Sequence, residues 1–215
     1  MKYELDLLFP LPIMIFDNLV EEEDLVNTTE WLISHFEKHN STRAQTFSPL
    51  ATVNSSHKWD PRLQDNPELK PLVDKFLEAS KLMLNEMGYV ECAEHAIIKD
   101  MWAYIGDEGD YVQPHIHQNS IISGAYYLQV PDNCYLLFKD YTNMFKMPDR
   151  WNKINRIQEM YPLQDNRLLM FRSDAAHGTG KIPPGKQKVT ISFNITFDHG
   201  WLIEGGPTQN PRSAT

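Results

Sequence analysis

The most regular stretch of the chain lies near its end. Val189, Ile191, Phe193, Ile195 and Phe197 alternate with Lys188, Thr190, Ser192, Asn194 and Thr196. Successive side chains of a strand point to opposite faces, so the spacing predicts a strand with one apolar and one polar face. The apolar face needs something to pack on. The polar face meets either water, as is ordinary in an antiparallel sheet, or a polar lumen. Partners for the apolar face come from the N-terminal third. Leu25, Thr29, Leu32, Ile33 and Phe36 recur at helical spacing behind the acidic turn formed by residues 21–24. A second helix has Asn66 as its cap, Pro67 in its first turn and Gly88 at its end. Leu69, Val73, Phe76, Leu77, Leu84 and Met87 line one of its faces. The polar segment 40–65 reads as a long loop.

The texture changes from about Ala93. Short β-rich runs follow near 95–105, 111–117, 121–130, 134–138, 154–161, 167–172, 177–182 and 188–198, separated by Gly, Pro, Asn and Asp. Many short antiparallel strands with turn signals predict a sandwich or jelly roll. Segment 139–153 reads as an insertion between strands, and a Gly/Pro/Asn-rich tail begins at Gly200.

Composition narrows the class. The 215 residues are 41% hydrophobic and 23% charged, enough for one cored domain and too apolar for global disorder. The longest apolar run, Leu7 to Phe16, is broken by Pro10 and Pro12 and falls short of the roughly 18 residues that span a bilayer. It also lacks the basic flank of a signal peptide. No membrane partner is expected. Two cysteines, Cys92 and Cys134, make no disulfide scaffold, which points to a reducing compartment and a cytoplasmic location. A net charge of −9 and a pI of about 5.3 argue against a nucleic-acid partner. Oligomeric state stays open.

The candidate chemistry centres on His115-Ile116-His117. Residues two apart on a strand share a side, so both imidazoles can meet one ion. A third histidine, His177, follows far downstream in Ser173-Asp174-Ala175-Ala176-His177. A close pair plus a remote third ligand suits a barrel, where distant strands become neighbours. The set His115, His117, Asn119, Ser123 and Tyr127 shares one parity, and an unbroken strand would turn all of it one way. Lys188 and Thr190 lie on the polar face of the last strand, where a cation can hold an anion beside a metal.

Four stretches carry a family resemblance. They are residues 104–117 (YIGDEGDYVQPHIH), 123–128 (SGAYYL), 167–177 (RLLMFRSDAAH) and 188–194 (KVTISFN). In this order, across about residues 95–198, they resemble the 2-oxoglutarate/Fe(II)-dependent dioxygenases of the prolyl-hydroxylase-like branch. The N-terminal Phe9-Pro10-Leu11-Pro12-Ile13 resembles a group of little-characterised oxygenases of that superfamily. The resemblance implies a mainly β chain with N-terminal helices. Its fold would be a double-stranded β-helix, a cupin-like jelly roll with helices packed on one sheet. Residues 1–92 would buttress the catalytic core at 93–198, and 199–215 would form a tail. It implies that His115 and His177 bind iron. Lys188 would pair with the distal carboxylate of 2-oxoglutarate, Thr190 would assist it, and Tyr127 and Tyr104 would line or bond the co-substrate. Asn194 is expected to line the pocket. Fe(II), 2-oxoglutarate and O2 are the implied cofactors, with ascorbate as an auxiliary reductant. The activity implied is hydroxylation of a C–H bond of a peptide, protein or small molecule, with decarboxylation of 2-oxoglutarate to succinate and CO2.

One position departs from the family pattern. His117 stands where the family usually has Asp or Glu. The two-His-one-carboxylate triad is the usual open non-haem iron site. With dianionic 2-oxoglutarate such a site carries one negative charge, whereas three neutral imidazoles leave it neutral. Three readings follow: His117 is the third ligand, or a carboxylate such as Asp110 swings in, or turnover is lost and only a metal-binding jelly roll remains. A three-His cupin-like dioxygenase that does not use 2-oxoglutarate is a further alternative. Elsewhere, His35 and His39 read as a solvated helix end. His57, in a polar loop with Trp59, is a candidate lid or substrate-contact residue, and Asp174 a turn former positioning His177. Trp102 and Phe138 read as core. The basic stretch around Trp151, with Lys146, Arg150, Lys153 and Arg156, reads as a solvated loop.

Overall fold

The structure, a computed structural model, describes residues 11–39, 51–60, 62–141 and 156–198. The tail from 199, the N-terminal motif before Leu11 and most of the expected insertion lie outside the described residues, as do Lys146, Arg150, Trp151 and Lys153. In chain order the elements are β1 (Ile13–Asp17), α1 (Glu22–Lys38), β2 (Asn54–Ser55), α2 (Lys70–Glu86), β3 (Ala96–Gly106), β4 (Val112–His115), β5 (Ile122–Gln129), β6 (Tyr135–Lys139), β7 (Gln158–Pro162), β8 (Arg167–Arg172), β9 (His177–Thr179) and β10 (Lys188–Phe197). Short 3₁₀ turns precede α2 and β3.

Two antiparallel sheets form the jelly roll. The larger runs β1-β8-β5-β10-β3-β2 and the smaller β4-β9-β6-β7. The alternation in β10 has the predicted consequence. Val189, Ile191, Phe193, Ile195 and Phe197 join one buried cluster with Leu25, Leu32 and Phe36 of α1 and Leu72, Phe76 and Met83 of α2. Phe76 stacks on Phe193 with ring centroids 4.3 Å apart. Full burial of one such side chain contributes about 1.5–3 kcal/mol, so the helices are held to the large sheet mainly by hydrophobic contact. Residues of opposite parity, Ala125, Tyr127, Leu169 and Phe171, pack with Leu136 and Phe138 of the small sheet. The start of α2 matches its sequence signals closely. The Asn66 side chain accepts from Glu68 N at 3.2 Å, Pro67 opens a 3₁₀ turn that leads into the helix, and Gly88 sits at φ +86° beyond its end. That left-handed conformation favours glycine.

Three expectations change. The N-terminal third is not only helical, because β1 and β2 form the two edges of the large sheet. Five apolar-rich residues flanked by proline gave too short a pattern to distinguish a strand. The segment read as a loop over 40–65 includes β2 among its described residues, and there the Ser56 Oγ accepts from Ala103 N at 3.0 Å. His57 therefore sits on an anchored edge, with its ring 5.4 Å from Trp102. The parity run from His115 to Tyr127 is also interrupted. β4 ends at His115 and β5 begins at Ile122, with Asn119 at φ +59° in the turn between.

Candidate active site

Strand order brings the three histidines together. His115 is the register partner of His177 across β4 and β9. Gly178 permits the close approach, since a Cβ there would lie 2.6 Å from Val112 O and 2.8 Å from Pro114 N. His117 lies beyond the strand end, and its backbone N–H donates to Ser173 O at 2.9 Å. One nitrogen from each of His115, His117 and His177 falls within 4.8 Å of the other two. The Nδ1 atoms of His115 and His177 face Gln113 O at 2.9 Å and Ala175 O at 2.8 Å. A carbonyl accepts only, so both Nδ1 atoms carry hydrogen and both Nε2 atoms are basic. The Nε2 atoms of His117 and His177 are 3.2 Å apart. Such a convergent set of basic nitrogens has the chemistry to bind a divalent transition metal. Burial, with His115 nearby, lowers the His117 pKa to about 4 and the His177 pKa to about 3. Both rings are thus neutral at pH 7, as ligation requires.

The inward face of the large sheet supplies the rest of the pocket. Thr190 stands opposite Tyr104 on β3 and Tyr127 on β5. Lys188 lies one row further along β10. All four line one cavity with the three histidines, Trp102, Leu136 and Phe171. Lys188 is 4% exposed, and no ion pair among the described residues engages it. Burial brings its pKa down to about 8, with Cys134 and Asp110 opposing. The Thr190 hydroxyl is buried without a hydrogen-bond partner among the described residues. Burial raises the Tyr104 phenol to about 12 and raises Tyr127 as well, so both remain O–H donors. A buried cation, an unpartnered hydroxyl and two protonated phenols form a site for an anion with oxygen acceptors.

Other candidates fall elsewhere. Asp110 is buried in the turn after β3, where its carboxylate accepts from Asp107 N at 2.8 Å. Among the described residues no carboxylate joins the histidine group. Asn194, expected to line the pocket, is absent from the cavity wall and lies buried behind His117. Its Nδ2 is 3.3 Å from His117 Nδ1 and 2.5 Å from Asp100 Oδ1. Asp100 escaped the sequence reading because its signal is a cross-strand register, which no local pattern carries. Asp174 pairs with Arg172, so it is the Ala175 carbonyl that orients His177. His35 pairs with Asp60 at 2.9 Å within a cluster of Trp31, His39 and Trp59. Trp102 is buried as expected but lies beside the site, 5.6 Å from the His117 ring.

Comparisons with known proteins agree with this geometry. Residues 100–194 match the family described as "Putative 2OG-Fe(II) oxygenase". No curated protein sequence matches the chain. Among solved structures, the chain resembles the prolyl-4-hydroxylase of Pseudomonas putida at 10% identity and a TM-score of 0.60, covering 86% of this chain and 92% of that one. It resembles the viral collagen prolyl hydroxylase of Paramecium Bursaria Chlorella virus-1 at 11% identity and a TM-score of 0.55, covering 85% and 94%. It also resembles the alpha-ketoglutarate-dependent epimerase SnoN of nogalamycin biosynthesis at 10% identity and a TM-score of 0.63, covering 86% and 78%. Such identities establish a shared jelly roll, and the match to the oxygenase family is carried by residues 100–194, the stretch that runs from β3 through the three convergent imidazoles to β10.

Proposed function

We propose that His115, His117 and His177 hold Fe(II), and that Lys188 and Thr190 anchor 2-oxoglutarate with Tyr104 and Tyr127 beside it. The observation that carries this reading is the pairing, in one cavity, of three convergent imidazoles with a buried lysine and a hydroxyl that has no hydrogen-bond partner among the described residues. The donor set fits the cofactors. Two Nε2 atoms face the centre, and the Thr190 hydroxyl offers an O–H with no acceptor among the described residues. When bound, iron supplies the oxidative decarboxylation of 2-oxoglutarate to succinate and CO2 coupled to hydroxylation of a C–H bond. This chain's residues supply orientation and charge. Lys188 neutralises the distal carboxylate, the two phenols donate to its oxygens without ionising, and Trp102, Leu136 and Phe171 exclude water.

The substrate class proposed is a peptide, protein or small-molecule C–H. Support comes from the structural relatives, which include prolyl hydroxylases and an epimerase of nogalamycin biosynthesis. Residues 1–92 are proposed as a buttress of the same domain, supported by β1 and β2 as sheet edges. Among the described residues no helix is long and apolar enough to cross a membrane. A reducing, cytoplasmic setting is supported by two free, buried thiols, Cys92 and Cys134.

The test is anaerobic titration of metal-free protein with Fe(II) and then 2-oxoglutarate, followed by visible absorption. A charge-transfer band that needs both components is the expected result. Iron binding without that band would favour a three-His dioxygenase that does not use 2-oxoglutarate. A band without succinate formation across broad peptide and small-molecule panels would favour a non-catalytic jelly roll.

A further inference from the structure

We propose that Lys99 determines substrate specificity at the mouth of the cavity, where its ammonium receives a carboxylate carried by the substrate. This names the substrate class of the site described above and rests on that reading. Burial identifies the mouth. Lys188 and His177 are buried, whereas His115 and His117 are half-buried. The cavity is therefore closed at its lysine end and opens past His115 and His117.

Strand β3 reaches that end with an irregularity. Asn194 is the register partner of Asp100, but Ile195 is the partner of Ile98, so Lys99 is left unpaired between them as a β-bulge. A bulge re-aims a side chain and is a common feature beside active sites. In an unbroken strand Lys99 would share a face with Met101 and Ala103, which belong to the core beneath the helices. The bulge instead turns it to the site side. Its Nζ lies 3.4 Å from the backbone oxygen of Gln118, the residue after His117, and 3.7 Å from Asp100 Oδ2. The first contact is a long hydrogen bond and the second lies beyond hydrogen-bond reach. An ammonium has three N–H donors, so Lys99 keeps donors that no acceptor among the described residues takes. With the side chain 37% exposed, they are open to a ligand.

The surroundings reinforce the charge. After burial, the groups whose positive charge depresses the His117 pKa are His115, Lys99 and His57. His57 follows β2, with its N–H donating to Ser55 Oγ at 3.3 Å. Its ring lies 5.4 Å from Trp102, which lies 5.6 Å from His117. Lys99 thus offers a cation beside the reacting end of the cavity in a chain of net charge −9, and such a local field draws an anion. Asp100 limits the size of that anion's charge. One ammonium with a carboxylate 3.7 Å away suits a monoanion and disfavours a phosphate dianion. A carboxylate meets this requirement, whether it belongs to an acidic peptide side chain or to a small free acid.

The experiment uses protein loaded with Mn(II) and 2-oxoglutarate and reads the proton relaxation of added probes, which Mn(II) accelerates when they bind near it. Loading is checked first, on the 2-oxoglutarate protons. The probes are two matched pairs: hexapeptides with one glutamate against the same peptides with glutamine, and small carboxylic acids against their primary amides. In at least one pair the acid should bind about 2–5-fold tighter than the amide, the effect of a partly exposed ion pair. The pair that shows it distinguishes a peptide from a free acid as the source of the carboxylate. Lys99→Ala should abolish the preference, Lys99→Arg should keep it, and Lys99→Glu should reverse it. Equal binding of acid and amide in both pairs, or a preference that survives Lys99→Ala, would overturn the inference. Failure of Mn(II) and 2-oxoglutarate to load would instead overturn the site reading beneath it.

Discussion

Lys188 offers a case in which function and stability move in opposite directions. Its ammonium is buried, and its pKa falls from the usual 10.5 to about 8. At about 1.4 kcal/mol per tenfold, the charged form is disfavoured by roughly 3 kcal/mol relative to water. Met has similar length and no charge, so Lys188→Met removes that cost while roughly preserving packing. Metal-free Lys188→Met should therefore melt higher than the unmodified protein at pH 7. Each kcal/mol recovered corresponds to about 2–4 °C in a chain of this size. The same change removes a charge-assisted bond worth about 1.5–3 kcal/mol, so 2-oxoglutarate should bind about 10–150-fold more weakly. Calorimetric titration with a redox-inert metal in the site measures the second effect, and scanning calorimetry of the metal-free protein measures the first. A variant that melts lower and binds 2-oxoglutarate unchanged would refute both the buried-cation argument and the anchor role.

The remaining predictions concern protons, ligands and strand contact. Because only the charged ammonium attracts a dianion, 2-oxoglutarate affinity should fall about tenfold between pH 7 and pH 9, as Lys188 loses its proton above about pH 8; pH-independent binding in isothermal titration would contradict this. His117 and His177 have folded pKa values of about 4 and 3, below the usual 6.5. The unfolded chain therefore takes up protons first, and the metal-free protein should lose stability as pH falls from 6.5 toward 4, by up to about 1.4 kcal/mol per pH unit for each ring. Flat melting temperatures between pH 7 and pH 5 would count against it. His117→Asp should retain metal, which His117→Ala should release, as measured by elemental analysis after dialysis. Gly178→Ala places a methyl against Val112 O and Pro114 N, so β9 should shift from β4 at a cost of about 1–3 kcal/mol, with weaker metal binding. Unchanged Co(II) affinity would show that the His115–His177 spacing does not depend on that contact.

Legibility of the site followed the range of each signal. His115 and His117 are two residues apart, and their convergence was readable although β4 stops at His115 rather than running through His117. Lys188, Thr190 and Asn194 share a strand, so their common face was readable from alternation alone. What that face meets depends on register. Thr190 lies between Tyr104 and Tyr127, whereas Asn194 lies between Asp100 and Ser123. The same parity therefore yields an anion-facing row and, four residues on, a row in which Ser123 lines the cavity while Asn194 lies behind His117.

By itself the sequence determined the helices of the N-terminal third, most of the strands from Ala96 onward and the apolar face of β10, because these rest on periodicities of a few residues and on local caps and turns. The family resemblance added the identity of the candidate ligands. Only the tertiary structure decided which residues oppose one another. It joined β4 to β9, which brings His177 to His115 from 62 positions away in the chain. It closed the large sheet with β1 and β2, placed Asp110 away from the histidines, and set Asp100 behind Asn194. The physical reason is that a one-residue slip in register turns every side chain of a strand to the other face. That register is set by packing of both sheets and the helices at once, and no short window of sequence contains it.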